Sequence, residues 1–130
     1  MALASKSYID NADPAAITKM VMQLFKHWKL TNEQKTLLLG LSTTTRSTLI
    51  RYENQESYFK NRDTQDRAKY LLLIHKYLRT LFPLNKELVY AWPTTHNDYF
   101  SGKTPVEVIE DEGFFGLIRV QQYLENYVIN

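Results

Sequence analysis

An all-α fold is what this 130-residue sequence predicts, on three grounds. Apolar residues recur at three- and four-residue spacing along most of the chain. Helix-start signatures, an acceptor side chain followed by Pro or by Glu/Gln three residues on, precede several of those runs. No stretch alternates apolar and polar side chains over the length of a strand, and there is no internal repeat or low-complexity tract.

The first helix opens at Asp13-Pro14, an acceptor at the N-cap and Pro at the first position. Ile17, Met20, Val21, Leu24, Phe25 and Trp28 give it one buried stripe. A second begins at Thr31, closes a capping box with Gln34, runs through Leu37, Leu38 and Leu39, and stops at Gly40. A third segment spans Thr43 to about Asn54. The fourth helix is capped by Asp63 and carries Leu71, Ile74, Leu78, Leu81 and Phe82, with Tyr70, Leu73 and Tyr77 widening the stripe past half the circumference. A helix that apolar belongs at the centre, touched on several sides.

Pro83 ends it. A short segment from Lys86 to Trp92 follows, stopped by Pro93, and 93–103 reads as loop. Thr104-Pro105-Val106-Glu107 is another capped start, for a helix ending at Gly113. The last helix runs from about Phe114 to Tyr127, with Leu117, Val120, Leu124 and Tyr127 on one face.

With no Cys, the chain has no disulfides, thiolate zinc sites or Cys nucleophiles. No apolar run is long enough for a signal peptide or a membrane span, so the expectation is a soluble protein with no membrane partner, and the lack of Cys fits a reducing cytoplasm. The net charge of +2 divides into +5 over residues 1–100 and −3 over 101–130. A basic body with an acidic tail suits one polyanionic and one basic partner.

Catalytic motifs are absent. Gly102-Lys103-Thr104 ends like a phosphate loop, but Asn97 stands where the first Gly belongs and no strand precedes it. Pro105 also removes a backbone donor from the first helical turn, so Thr104 reads as a cap. His27, His75 and His96 have no metal-ligand spacing, and Glu110-Asp111-Glu112 lacks the order of a calcium loop. The expectation is a non-enzyme without metal or cofactor. The acid run still stands out, because it occupies a helix C-terminus, where each carboxylate costs about 0.3–1 kcal/mol. Solvated surface and a docking surface for a cationic cleft are both open readings.

Gln34 to Ser42, followed by Thr43-Thr44-Thr45-Arg46, has the form of a helix-turn-helix. Gly40 makes the turn, Leu41 plugs the core and Ser42 caps the next helix. Thr43, Thr44, Thr45, Arg46, Ser47 and Arg51 suit phosphate and base-edge contact in a major groove. Arg46 stands where such a motif turns an apolar side chain inward, so Leu49 and Tyr52 are expected to do that packing.

Leu37 to Ser42, Arg67 to Phe82, Tyr99 to Pro105 and Gly113 to Leu124 follow one another in an order that resembles the Xre/MbcA/ParS antitoxins of bacterial type II toxin–antitoxin modules. The resemblance covers roughly residues 15–127, and the F-x-G-x-T-P stretch and the Gly-centred final hairpin carry most of it. It implies a tail (1–14), an Xre-like DNA-binding domain (15–62) that binds the operon's own promoter, and a toxin-binding helical domain (63–130).

The implied partners are operator DNA and a RES-type, NAD-consuming toxin or a related ADP-ribosyltransferase-like toxin, with the antitoxin a homodimer or higher oligomer. Phe100, Gly102, Thr104, Pro105 and Gly113 match the family signature. Phe100, Gly102, Glu110, Asp111, Glu112, Phe114 and Phe115 are the expected toxin-binding residues. Two other readings stand: a stand-alone helix-turn-helix regulator whose C-terminal part dimerises, and a small enzyme with no readable motif.

Overall fold

The structure, a computed structural model, describes residues 12–42 and 46–129. Its helices are α1 (Pro14–Trp28), α2 (Asn32–Leu38), α3 (Arg46–Glu53), α4 (Arg62–Leu81), α5 (Lys86–Ala91), α6 (Pro105–Glu112) and α7 (Phe114–Ile129). Short 3-10 turns lie at Trp92–Thr94, entering the stretch expected to be loop, and at Asp98–Phe100, inside it. No strand occurs among the described residues, and the protein is all-α.

Both capping boxes form. Thr31 Oγ1 accepts from the Gln34 amide at 3.1 Å while Gln34 Oε1 accepts from the Thr31 amide at 2.9 Å. Thr104 and Glu107 make the same exchange at 3.0 and 2.8 Å. Two expected caps differ. Asn61, not Asp63, caps α4, its Oδ1 accepting from the Asp63 amide at 2.7 Å, which leaves Asp63 in the first turn to pair with Arg67 at 3.0 Å. Asp13 does stand at the N-cap of α1, yet its side chain makes no capping hydrogen bond; its carbonyl accepts from Ile17 instead.

Helix α4 lies at the centre, with α1 packed along one part of it and α7 along another. Helices α6 and α7 form a close hairpin, α2 lies against α6, α3 against α1, and α5 against both α4 and α1. Phe25 of α1, Leu71, Ile74 and Leu78 of α4, and Leu117 of α7 belong to one continuous core. Each such side chain contributes about 1.5–3 kcal/mol when fully buried. Two assignments to the buried stripes are corrected. Met20 faces solvent, Met22 taking a place inside, and Tyr127 is exposed at the end of α7.

The α6–α7 hairpin depends on glycine twice. Gly113 turns the chain at φ 63°, ψ −135°, a region open to little but glycine. A Cβ on Gly116 would stand 2.4 Å from the Val108 carbonyl oxygen, so the two helix backbones meet there with no room for a side chain. Helix propensity alone makes Gly→Ala favourable by about 1 kcal/mol. Gly116→Ala should instead destabilise, by about 1–3 kcal/mol as an overpacked contact, in urea denaturation.

His75, on α4, stacks on Tyr90 of α5 with ring centroids 5.4 Å apart, and His27 of α1 stacks on the same ring at 4.2 Å. Burial, then the charges of Arg79 and His27, lower the His75 pKa from 6.5 to about 4. Between those values the unfolded chain binds more protons than the folded one. The stabilisation is therefore complete above pH 6.5 and is lost as pH falls toward 4. His75→Phe keeps a ring on Tyr90 and should show a smaller drop in melting temperature between pH 7 and pH 4.5 than the parent chain.

Candidate functional site

Around the first candidate site, the turn after α2 is tightened by Gly40 at φ 69°. A Cβ there would stand 2.3 Å from Arg67 Nε, so the α4 guanidinium occupies the space beside the turn. Arg67 pairs with Asp63 and also lies over the Phe114 ring, 5.3 Å from its centroid. One side chain thereby joins the turn to the start of α7. Lys35 and Glu53, 3.2 Å apart, tie α2 to α3.

Leu49 is fully buried and Tyr52 packs edge-on to Phe59 at 5.0 Å, supplying the packing that Arg46 does not. Arg46, Ser47 and Arg51 lie on exposed parts of α3. Thr43, Thr44 and Thr45 lie outside the described residues. Of the six expected DNA-contacting residues, the two arginines and Ser47 are thus exposed on one helix, where Ser47 and Arg51, four residues apart, share a face.

The second candidate region divides into residues that build the fold and residues that face outward. Phe100 is buried, covered by Tyr123 at 5.4 Å and by the Arg119 guanidinium at 5.7 Å. Ser101 and Gly102 follow in left-handed conformation, and the Gly102 carbonyl accepts a 2.7 Å hydrogen bond from His96 Nδ1. Asn97 closes the loop, its amide donating to the Lys103 carbonyl. Phe100 and Gly102, expected at a partner contact, thus shape the loop that delivers Thr104 to its cap. Phe114 is half-buried, edge-on to Tyr70 at 5.6 Å, whereas Phe115 projects into solvent.

The acid run is paired within the molecule. Glu110 accepts from Gln34 Nε2 at 3.3 Å, Asp111 pairs with Lys103 at 2.8 Å, and Glu112 pairs with Arg119. Two cations beside the C-terminus of α6 offset the dipole that makes carboxylates unfavourable there. Lys103, the lysine of the apparent phosphate motif, is held protonated by Asp111. Among the described residues no group of three His, Cys, Asp or Glu side chains is placed to hold a metal.

An aromatic platform escaped the reading of the sequence. Tyr99 and Tyr127 are 63% and 60% exposed, with Tyr123 between them at ring distances of 4.4 and 5.1 Å. Trp92 stacks on Tyr123 at 6.1 Å. Tyr99, Tyr123, Asn126 and Tyr127 line a cavity of ≈ 430 Å³. Burial, then Tyr127, raises the Tyr123 pKa. The four-residue spacing of Tyr123 and Tyr127 was the one signal in the sequence; Tyr99 and Trp92 reach them only through the fold.

Burial raises the pKa of Glu110 above 4.5, outweighing its hydrogen bond from Gln34. A carboxyl raised on folding contributes stability at low pH that is lost as pH rises through the raised value. Glu110→Gln keeps a hydrogen-bonding group and removes the charge. It should melt at or above the parent's temperature at pH 7, measured by circular dichroism; a clear drop would mean the charge itself is needed.

No family model matches the chain. A protein of Sinorhizobium fredii (strain NBRC 101917 / NGR234), described as "Uncharacterized protein y4oB", is 28% identical over 116 residues. That span is 89% of this chain and 87% of the other, so the likeness runs through both regions described above.

Proposed function

We propose that this chain is a two-partner adaptor of the antitoxin kind. In this reading its C-terminal helices bind and neutralise a cognate toxin of the NAD-consuming RES type or a related ADP-ribosyltransferase-like type. Helix α3 binds promoter DNA and autoregulates the operon, and the chain has no catalytic role of its own.

The observation that carries the reading is the aromatic platform. Tyr99 and Tyr127 are exposed on a base of half-buried Tyr123 and Trp92, and such aromatic side chains dominate protein–protein contacts because they bury large areas at small entropic cost. The acid run is secondary in this reading: its carboxylates already have partners within the molecule, so the contact rests on the aromatic side chains. Against α1, Arg46 and Arg51 lie exposed on a helix whose Leu49 anchors it to the core, an arrangement that suits phosphate contact.

A second reading draws on the same platform: a stand-alone regulator whose copies associate through Tyr99 and Tyr127. Co-expression with the product of an adjoining gene, followed by pull-down, separates the two. Under the antitoxin reading that product is captured, and Tyr99→Ala with Tyr127→Ala weakens capture by at least tenfold. Self-association lost in the same variant, with no capture by the parent, favours the regulator. Arg46→Ala should weaken promoter binding and lower its salt slope by about one unit. An unchanged slope would remove Arg46 from the DNA contact.

A further inference from the structure

At the far end of α1 from Tyr52, two concavities adjoin and share Lys86 and Tyr90. One, of ≈ 420 Å³, is lined by Lys76, Arg79, Thr80 and Lys86 with Tyr90. The other, of ≈ 640 Å³, continues past His27, Lys29 and Thr94. Three cations converge on the smaller concavity with no acid in its wall, and Glu87 is the single acid in the wall of the larger. Lys29, Lys76, Arg79 and Lys86 are exposed, and none is in an ion pair among the described residues.

The wall between them is fixed. Tyr90 is held by stacking on His27 and His75, and its own helix is anchored by the buried Val89. The site is also separate from α3. Thr18, nine residues back along α1 from His27, receives the hydrogen bond from the Phe59 amide beside Tyr52, and nine helical residues span about 14 Å.

We propose that this double trough binds a ligand carrying adjacent phosphate groups, with Arg79 and Lys86 as the principal contacts and Lys76 and Lys29 at its two ends. A lone carboxylate leaves most of this charge uncompensated. Neighbouring phosphates match it, and the planar guanidinium of Arg79 offers them paired donors. The positive field has an independent mark, since Arg79 and His27 both act to keep His75 neutral. The same phosphate chemistry is found in a small phosphorylated compound and in a nucleic-acid backbone.

The test uses the full-length chain in two-dimensional amide NMR, titrated with sodium pyrophosphate and, separately, with a short duplex DNA lacking the promoter sequence. Pyrophosphate should shift the signals of Lys76, Arg79, Lys86 and Tyr90 saturably, and Arg79→Gln with Lys86→Gln should weaken binding by about tenfold or more. Shifts with pyrophosphate assign the site to a small phosphorylated compound. Shifts with duplex alone, lost in the same variant, assign it to a nucleic-acid backbone. Both side chains are exposed, so the variant should keep the parent's helical spectrum. Arg46→Ala with Arg51→Ala should leave pyrophosphate binding unchanged, which keeps this outcome distinct from promoter binding by α3. Silent trough signals with both probes, or undiminished binding by the double variant, would overturn the proposal.

Discussion

Helix α4 has to bury apolar side chains on two sides at once, and the arrangement of the other helices follows from that demand. Ala68, Leu71, Leu73, Ile74, Tyr77 and Leu78 are all buried, more than one neighbouring helix can cover. Helix α1 meets part of the need and α7 the rest. Tyr77 shows how the second contact is made specific: its ring is buried while its hydroxyl reaches Glu125 Oε1 at 3.3 Å. The division expected at 62/63 therefore falls at a helix whose two faces are both in use. Each half holds a surface that the other covers.

Polar contacts then lock the periphery to this centre. Arg67 reaches from α4 to the Gly40 turn on one side and the Phe114 ring on the other. Gln34 serves twice, closing the Thr31 capping box and donating to Glu110. Through these contacts the small helix α2 is bound to α6 although it buries only Leu38 itself. Exposed pairs such as Lys103–Asp111 contribute little to stability. Their effect is on the field, since they leave the acid run nearly balanced, while the cations around Tyr90 stay uncompensated.

What the sequence reveals is what neighbouring residues decide among themselves. Thr31 with Gln34 and Thr104 with Glu107 are legible because both members of each box lie within one turn. The stripe of α4 is legible because burial on two sides leaves a broad apolar band. Met20 and Tyr127 are misplaced for the opposite reason: each lies at the margin of a stripe, where the position of a neighbouring helix decides between core and solvent. The candidate sites are less legible than the fold. The partner of Glu110 is 76 residues away, the cover of Phe114 comes from α4, and the basic trough is assembled from the ends of three helices. Phe100 carried a recognisable pattern, but pattern alone does not tell a side chain that meets a partner from one that holds the loop presenting it.

Tyr70 and Tyr77 look toward α7, so this one helix covers a whole side of α4. Without it, that side is an open apolar surface on an otherwise assembled bundle. A chain cut within α7 therefore keeps the helices before the cut and has no lid on its centre, a substrate for chaperones and proteases rather than a weakened version of the whole.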